Sequence, residues 1–420
     1  MSSCVRQEEG VTPRLGLVTK GGTPVSSRST VKSLRQARRM FKGLMNYHPE
    51  GMEDWRDGSR KAVKRVLEQR MRQRIGSYLE EELSKGIQDR RNGVYRRQLL
   101  TSLGAIELMV PRTRHFNPVE IVQAYARRTE DVDRCILACF VFGLSTRKVA
   151  EALLPILGER VSASTVSQVA KALDTEVAAF HRRPLKNRYR VLQFDGVVLS
   201  RKTGVGALKR PVLVVLGITP DNRKEILDYQ FAKAESQEAW EGFLNNLYER
   251  GLTGEGLELI TVDGGPGLLA ALEVVFPGIA IQRCWAHKTR NILEKVRKAD
   301  WQEVKRGLHA ISHARNQSAG CKAAHRFISR WWQIYPKAVE SLRKDFVELM
   351  ACFRFDDPGW RKMTRTTNSI ERRFREVRRR TRPMGVFSDR TSMDRILYAV
   401  FSYENLKQGV GTLFSLTQYS

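Results

Sequence analysis

The chain has 420 residues, 41% of them hydrophobic, enough for two or three domains with a sizeable buried core, which excludes a disordered basic tail. Its 73 Lys and Arg against 45 Asp and Glu leave a net charge of +28, which implies a polyanionic partner, because phosphate neutralisation with counterion release gives sequence-independent affinity. No apolar run approaches the roughly 20 residues that span a bilayer, Met1 to Glu9 lack the apolar core of a secretory signal, and six scattered cysteines form no dense disulfide framework, so nucleic acid in the cytoplasm is the expected setting.

Residues 1 to about 30 are rich in Ser, Thr and Gly without a sustained period and are expected to be largely disordered. A basic helical stretch follows over Val31 to Asn46. A second helix is expected between Ser59 and Lys85, where Val63, Val66, Leu67, Ile75, Tyr78, Leu79 and Leu83 recur at helical spacing before Gly86. Tyr95 to Thr101 and Ala105 to Val110 read as the arms of a hairpin, with Gly104 in the turn, Pro111 as the stop, and Arg96, Arg97, Arg112 and Arg114 flanking it.

From Asp131 to Phe180 the chain returns to helix. Cys135 and Cys139 are four apart, so they share a helical face and are expected to be buried as small hydrophobes. Ser145 and Ser162 mark two helix starts. Val149, Leu153 and Leu154 face inward on the first helix, and Val166, Val169 and Leu173 on the second. A short connection between two such helices suits a helix-turn-helix. Arg147 and Lys148 then lie on its first helix, while the second presents Ser164, Thr165, Ser167, Gln168 and Lys171 to a DNA groove. A plain helical hairpin fits the same spacing.

After Arg190 the pattern changes to strand. Val191 to Leu199, Pro211 to Ile218 and Glu225 to Ala232 are three strands in succession. Ser236 caps a helix to about Arg250, Leu257 to Val262 is a fourth strand, Pro266 opens a helix toward Phe276, and Ile279 to Cys284 is a fifth strand. That order is the order of a ribonuclease H-like sheet, giving an α/β fold with a mixed-sheet core. Ala286 to Trp360 is helical and holds Trp301, Trp331, Trp332 and Tyr335, an expected all-helical insertion. The expected division is a basic arm over 1–58, a helical DNA-binding region over 59–185, a core over 186–285 and 361–385 interrupted by the insertion over 286–360, and a C-terminal helix over 386–420.

Three acids stand out. Asp195 sits in Val-Leu-Gln-Phe-Asp-Gly-Val-Val-Leu, where an unpaired charge is costly to bury, and Gly196 lets another group approach the backbone. Asp263 ends Leu-Ile-Thr-Val-Asp, although Asp before Gly-Gly-Pro is also ordinary turn chemistry. Glu371 stands third after Asn368, the spacing of a capping box. Yet Ile370, Phe374 and Val377 form the apolar stripe of its helix, so Glu371 lies beside the buried face. Around it Arg372, Arg373, Arg375, Arg378, Arg379, Arg380 and Arg382 suit a phosphate track. In two-metal phosphoryl transfer, oxygen ligands hold two divalent ions roughly 4 Å apart, and Mg²⁺ prefers hard carboxylates.

Phe194-Asp195-Gly196, Val262-Asp263-Gly264, Cys284-Trp285-Ala286-His287-Lys288 with Arg290-Asn291 after it, and Thr367-Asn368-Ser369-Ile370-Glu371-Arg372 followed by Arg378-Arg379-Arg380-Thr381-Arg382 together resemble the bacterial insertion-sequence transposases of the Mutator type. Gly143 to Val149 and Gly104 to Arg112 are similar to that family too, and the match covers about residues 75 to 405. The resemblance implies a ribonuclease H-like core with an Asp, Asp, Glu triad and two Mg²⁺ or Mn²⁺ ions. It also implies a helical insertion before the Glu, and the terminal inverted repeats of its own element as double-stranded DNA substrate. Such enzymes pair two ends, so a dimer or larger homo-oligomer is expected. Cys284 and His287 are implied as a signature near the active site, with a supporting role.

Asp195, Asp263 and Glu371 are therefore expected as metal ligands, with water freeing a 3′-hydroxyl that then attacks target DNA. A zinc site drawn from Cys284, His287, His309, His313, Cys321 and His325 is disfavoured by spacings that are helical rather than tight loops. Two rivals remain from the sequence: a helix-turn-helix regulator without catalysis, and a ribonuclease H-like nuclease that cuts without joining.

Overall fold

The computed structural model describes residues 52–118, 121, 127–203, 206–382, 387 and 389–410. The arm over residues 1 to 30 and the helix expected over Val31 to Asn46 lie outside the described residues. Contacts divide the chain into two units, Met1–Lys61 and Ala62–Ser420. Among the described residues no helix is long and apolar enough to cross a membrane.

Helix α1 (Met52–Ser84) stops just before Gly86, and β1 (Arg91–Thr101) and β2 (Gly104–Thr113) form an antiparallel hairpin turning at Gly104. The strand continues through Pro111 rather than stopping there. In a two-stranded sheet Pro111 can face the open edge, where its missing N–H removes nothing the sheet needs. Leu99, Ile106, Leu108 and Val110 pack on Met71 of α1.

Four helices follow: α2 (Glu130–Val141), α3 (Thr146–Leu157), α4 (Ala163–Ala170) and α5 (Leu173–Arg182). Ser145 and Ser162 are the N-caps of α3 and α4, their hydroxyls accepting from the N–H of Lys148 and of Thr165. Leu173, expected in the second helix of the pair, opens α5 instead. Cys135 is exposed and Cys139 half-buried; Val132, Ile136 and Phe140 take the buried stripe of α2, leaving Cys135 on its outer side.

The sheet comprises β3 (Val191–Thr203), β4 (Gly206–Ile218), β5 (Lys224–Phe231), β6 (Leu259–Val262) and β7 (Ala280–Arg283) in the order β5-β4-β3-β6-β7. β3, β4 and β5 are antiparallel neighbours, whereas β6 runs parallel to β3 and β7 parallel to β6. The parallel pairs need crossovers, supplied by α6 (Gln237–Glu249) and α7 (Pro266–Val275).

Strand side chains alternate between faces, and each face has its own core. Leu192 and Phe194 join Trp240, Phe243 and Leu268 of α6 and α7 in one cluster. Val191, Val197 and Leu199 join Ile370, Phe374 and Val377 of α14 (Asn368–Thr381) and Ile396 and Val400 of α15 (Arg390–Leu406) in another. Asp195 is an odd-numbered position and so points toward α14. Each such buried Leu, Ile or Phe contributes roughly 1.5–3 kcal/mol.

Between β7 and α14 every regular element is helical: α8 (Trp285–Leu293), α9 (Trp301–Ser312), α10 (Gln317–Trp331), α11 (Pro336–Lys344), α12 (Phe346–Met350) and α13 (Pro358–Thr364), with two short 3₁₀ turns. They enclose a core of their own around Leu308, Ile311, Phe327, Trp331 and Leu342.

Candidate active site

Strand register places the first two acids. Phe194 of β3 pairs with Val262, the last residue of β6, in parallel, so Asp195 and Asp263 directly follow paired positions on backbones about 4.8 Å apart. The side chain of Asp195 accepts from the N–H of Gly196 at 2.8 Å, and that of Asp263 from the N–H of Gly265 at 3.1 Å. Asp195 is only 8% exposed. Burial pushes its carboxyl up to about 8, and the charges of Asp263, Glu371 and Glu235 add to the rise against the Gly196 hydrogen bond.

The third acid arrives from more than a hundred residues further along the chain, held by polar side chains inside the sheet. Gln193, Thr261 and Gln282 are aligned across β3, β6 and β7, and all three are fully buried. Gln193 Nε2 donates to the carbonyls of Met363 and Thr366 at 3.0 and 3.1 Å, and Thr261 Oγ1 to that of Thr364 at 2.8 Å. Gln282 Nε2 donates to the Leu349 carbonyl at 3.1 Å, and its Oε1 accepts from the Cys352 N–H. The row thus stitches the segment from Leu349 to Thr366 onto the sheet and fixes where α14 begins.

Cys284 completes that seam. Its buried Sγ accepts from both N and Oγ1 of Thr367 at 3.4 Å, and burial raises its thiol, so it packs as a structural group. Thr367 is the N-cap of α14, and no side chain caps the helix. The capping box from Asn368 to Glu371 does not form: Asn368 is already helical and exposed. Glu371 is instead free to meet His287, whose Nε2 lies 3.1 Å from its Oε1. The other ring nitrogen, Nδ1, is buried without a partner.

Asp195, His287, Asn368 and Glu371 share a cleft of about 520 Å³ with Arg290, Arg372, Arg375 and Arg378. Of the other arginines on α14, Arg379 is exposed and pairs with Glu376 at 3.0 Å, and Arg382 is exposed beyond the helix end. Arg380 is a correction. It is 1% exposed, lies over the rings of Phe142 and Tyr403 and belongs to the buried face with Arg373, so it cannot be part of a phosphate track. In the helical pair, Arg147, Lys148, Gln168 and Lys171 are exposed and Thr165 is half-buried.

Two residues enter the site to which the sequence assigned no role, Arg290 standing only as part of a motif and Glu235 in none. Arg290 lines the cleft one helical turn after His287. Glu235 projects toward Gly196, where an added Cβ would lie 2.5 Å from its Oε1. Burial and then the charge of Asp263 raise the Glu235 carboxyl. It sits in a polar run just before a helix cap, where nothing in the sequence distinguishes it from a solvated acid.

Among the described residues no three His, Cys, Asp or Glu side chains stand close enough to hold a metal ion. The zinc set does not assemble, with Cys284 committed to Thr367 and His309 stacked on His313 at 3.6 Å. The carboxylates of the cleft suit a hard divalent cation in their chemistry, since carboxylate oxygens are the donors such ions prefer and the Asp195 carboxyl is raised by burial and then by the charge of Asp263.

Comparison with known proteins matches residues 34–409 to the family described as "Transposase, Mutator family". The chain is 31% identical over 320 residues to the "Transposase for insertion sequence element IS905" of Lactococcus lactis subsp. lactis (strain IL1403), covering 76% of this chain and 80% of that protein. It is 30% identical over 376 residues to the "Transposase for insertion sequence element ISRM5" of Rhizobium meliloti (strain 1021), covering 88% and 92%. With the "Transposase for insertion sequence element IS1081" of Mycobacterium tuberculosis (strain ATCC 25618 / H37Rv) it shares 32% over 321 residues, 76% of each chain.

Proposed function

The chain belongs to the Mutator family of transposases, and from that premise we propose that it binds the terminal inverted repeats of its insertion sequence, cuts DNA strands there and joins them to target DNA. The working part is a ribonuclease H-like core over 186–285 and 361–385, interrupted by a helical insertion over 286–360 and preceded by a DNA-binding region over 59–185. The strand order β5-β4-β3-β6-β7 supports that reading.

The observation that carries the chemistry is the placement of Asp195, buried in β3 next to the end of β6 where Asp263 follows, and lining one cleft with Glu371. Two Mg²⁺ or Mn²⁺ ions, held by Asp195, Asp263 and Glu371, would supply an activated attacking oxygen and stabilise the leaving one. Asp195 is held at β3 and Asp263 just past the end of β6, while Glu371 comes from the first turn of α14, with His287 Nε2 at 3.1 Å to position it. Arg290, Arg372, Arg375 and Arg378 bind phosphates on either side of the scissile bond. Water attacks one phosphodiester and releases a 3′-hydroxyl; that hydroxyl attacks a second phosphodiester and displaces its 3′-oxygen, so bonds broken and formed balance. Pairing two element ends requires two active sites, hence a dimer or larger assembly acting on the nucleoid in the cytoplasm.

A strand-cleavage and strand-transfer assay with Asp195→Asn tests the proposal. Loss of both steps with DNA binding retained supports it. Binding by the wild-type chain with no nicking in Mg²⁺ or Mn²⁺ would favour a helix-turn-helix regulator, and cleavage without joining a simple nuclease.

A further inference from the structure

A second cleft, of about 850 Å³, opens between the β1–β2 hairpin and the start of α4 and shares no lining residue with the first. Arg97 and Arg112 reach it from the hairpin, Arg127 and Arg128 from the segment before α2, and Arg160 from the turn before α4. Glu159 is the one carboxylate among the described residues that line it. Guanidinium groups drawn from three separate stretches of chain repel one another, so a concave surface that gathers five of them is suited to a polyanion.

Local contacts hold part of this array in place. Arg128 is anchored by Asp133 at 2.6 Å, and Arg112 by its Nε–H to the Asn92 carbonyl at 3.1 Å. The Ser162 hydroxyl caps α4 and Thr165 lies in its first turn, so hydroxyl groups and the amino end of the helix face the same space.

We propose that this cleft grips the phosphodiester backbone of duplex DNA, so that hairpin and helical pair form one continuous binding surface. The arginines set the position of the duplex, and Gln168 on α4 and Lys171 at its C-terminal cap, both exposed, lie where bases can be read. Only the choice of DNA as the polyanion rests on the transposase reading. Backbone contacts carry no sequence information, so the terminal repeat and unrelated flanking DNA are held alike.

The test uses the full chain with Arg112→Ala and Arg160→Ala combined, measured by fluorescence anisotropy over a KCl series. One duplex carries the inverted repeat that flanks the gene, and the other a scrambled sequence. The expected result is weaker binding to both by a similar factor, roughly tenfold or more, with the slope of log K against log salt shallower by about 2. Restoring charge with Arg112→Lys and Arg160→Lys should recover most of the slope. Arg127→Glu, an exposed single change, repeats the test should the double variant fold poorly. Unchanged affinity and slope on both duplexes overturn the inference, as does a loss confined to the repeat duplex, which would mean base reading. If those results come from a wild-type chain that still cuts and joins DNA, the transposase reading stands. A wild-type chain that binds neither duplex overturns both.

Discussion

His287 Nε2 lies 3.1 Å from Glu371 Oε1, which joins α8, the first helix after β7, to α14. The ring's other nitrogen, Nδ1, is buried without a partner, so the approach to Glu371 is the polar contact that the structure gives this side chain. His287→Ala should therefore release Glu371 and, on the proposed mechanism, slow single-turnover cleavage by about 10–100-fold, the size of effect expected when a side chain that positions a metal ligand is lost. DNA affinity should hold. His287→Gln, whose amide N–H can stand in for Nε2, should retain more of the rate, and equal rates for the two variants would count against the contact.

The polar row inside the sheet makes a second prediction. Thr261→Val keeps the shape but leaves the Thr364 carbonyl buried without its donor, a loss of roughly 1–3 kcal/mol in denaturant unfolding. Because that bond fixes the approach to α14, cleavage should fall more than DNA binding. Thr261→Ser restores the hydroxyl and should restore cleavage even though it removes a methyl group.

Gly143 packs on the far end of α14. Its φ is +100°, and an added Cβ would lie 2.9 Å from Arg380 Cα and 3.0 Å from its carbonyl oxygen. Backbone atoms cannot move aside as a side chain does, so Gly143→Ala should destabilise the chain by roughly 1–3 kcal/mol. A urea midpoint equal to that of wild type would contradict this packing.

His181 gives a pH dependence. Burial opposes its charged form, but hydrogen bonds to Asp228 at 2.6 Å and Asp394 at 3.3 Å prevail and lift it to about 9. A folded value above the unfolded one means the stabilisation is complete below about pH 6.5 and disappears as pH rises through about 9. With the ring 29% exposed, the effect is on the order of 1–2 kcal/mol. The stability difference between wild type and His181→Ala should shrink between those pH values, and a pH-independent difference would exclude a charged His181.

Much of this was legible because apolar alternation marks strands and a lone acid breaks it. Asp195 stood out for that reason, and the Ser145, Ser162 and Ser236 caps were readable because their chemistry is local. What escaped depended on distant partners. Gln193 is an interruption in an apolar strand until the carbonyl of Met363, 170 residues later, is found beside it. Arg380 reads as one more surface arginine until α2 brings Phe142 over it. Asn368 and Glu371 have capping spacing, but the segment docked by Thr261 and Cys284 starts the helix one residue earlier and turns Glu371 to the cleft.

The most direct measurement is metal-dependent cleavage of a terminal-repeat duplex by the Asp195→Asn chain beside wild type, at equal occupancy of the DNA. The account predicts that wild type cuts in Mg²⁺ or Mn²⁺ while the variant binds the duplex equally well and does not cut, a rate loss of roughly a thousandfold or more. Cleavage by the variant at the wild-type rate would contradict it.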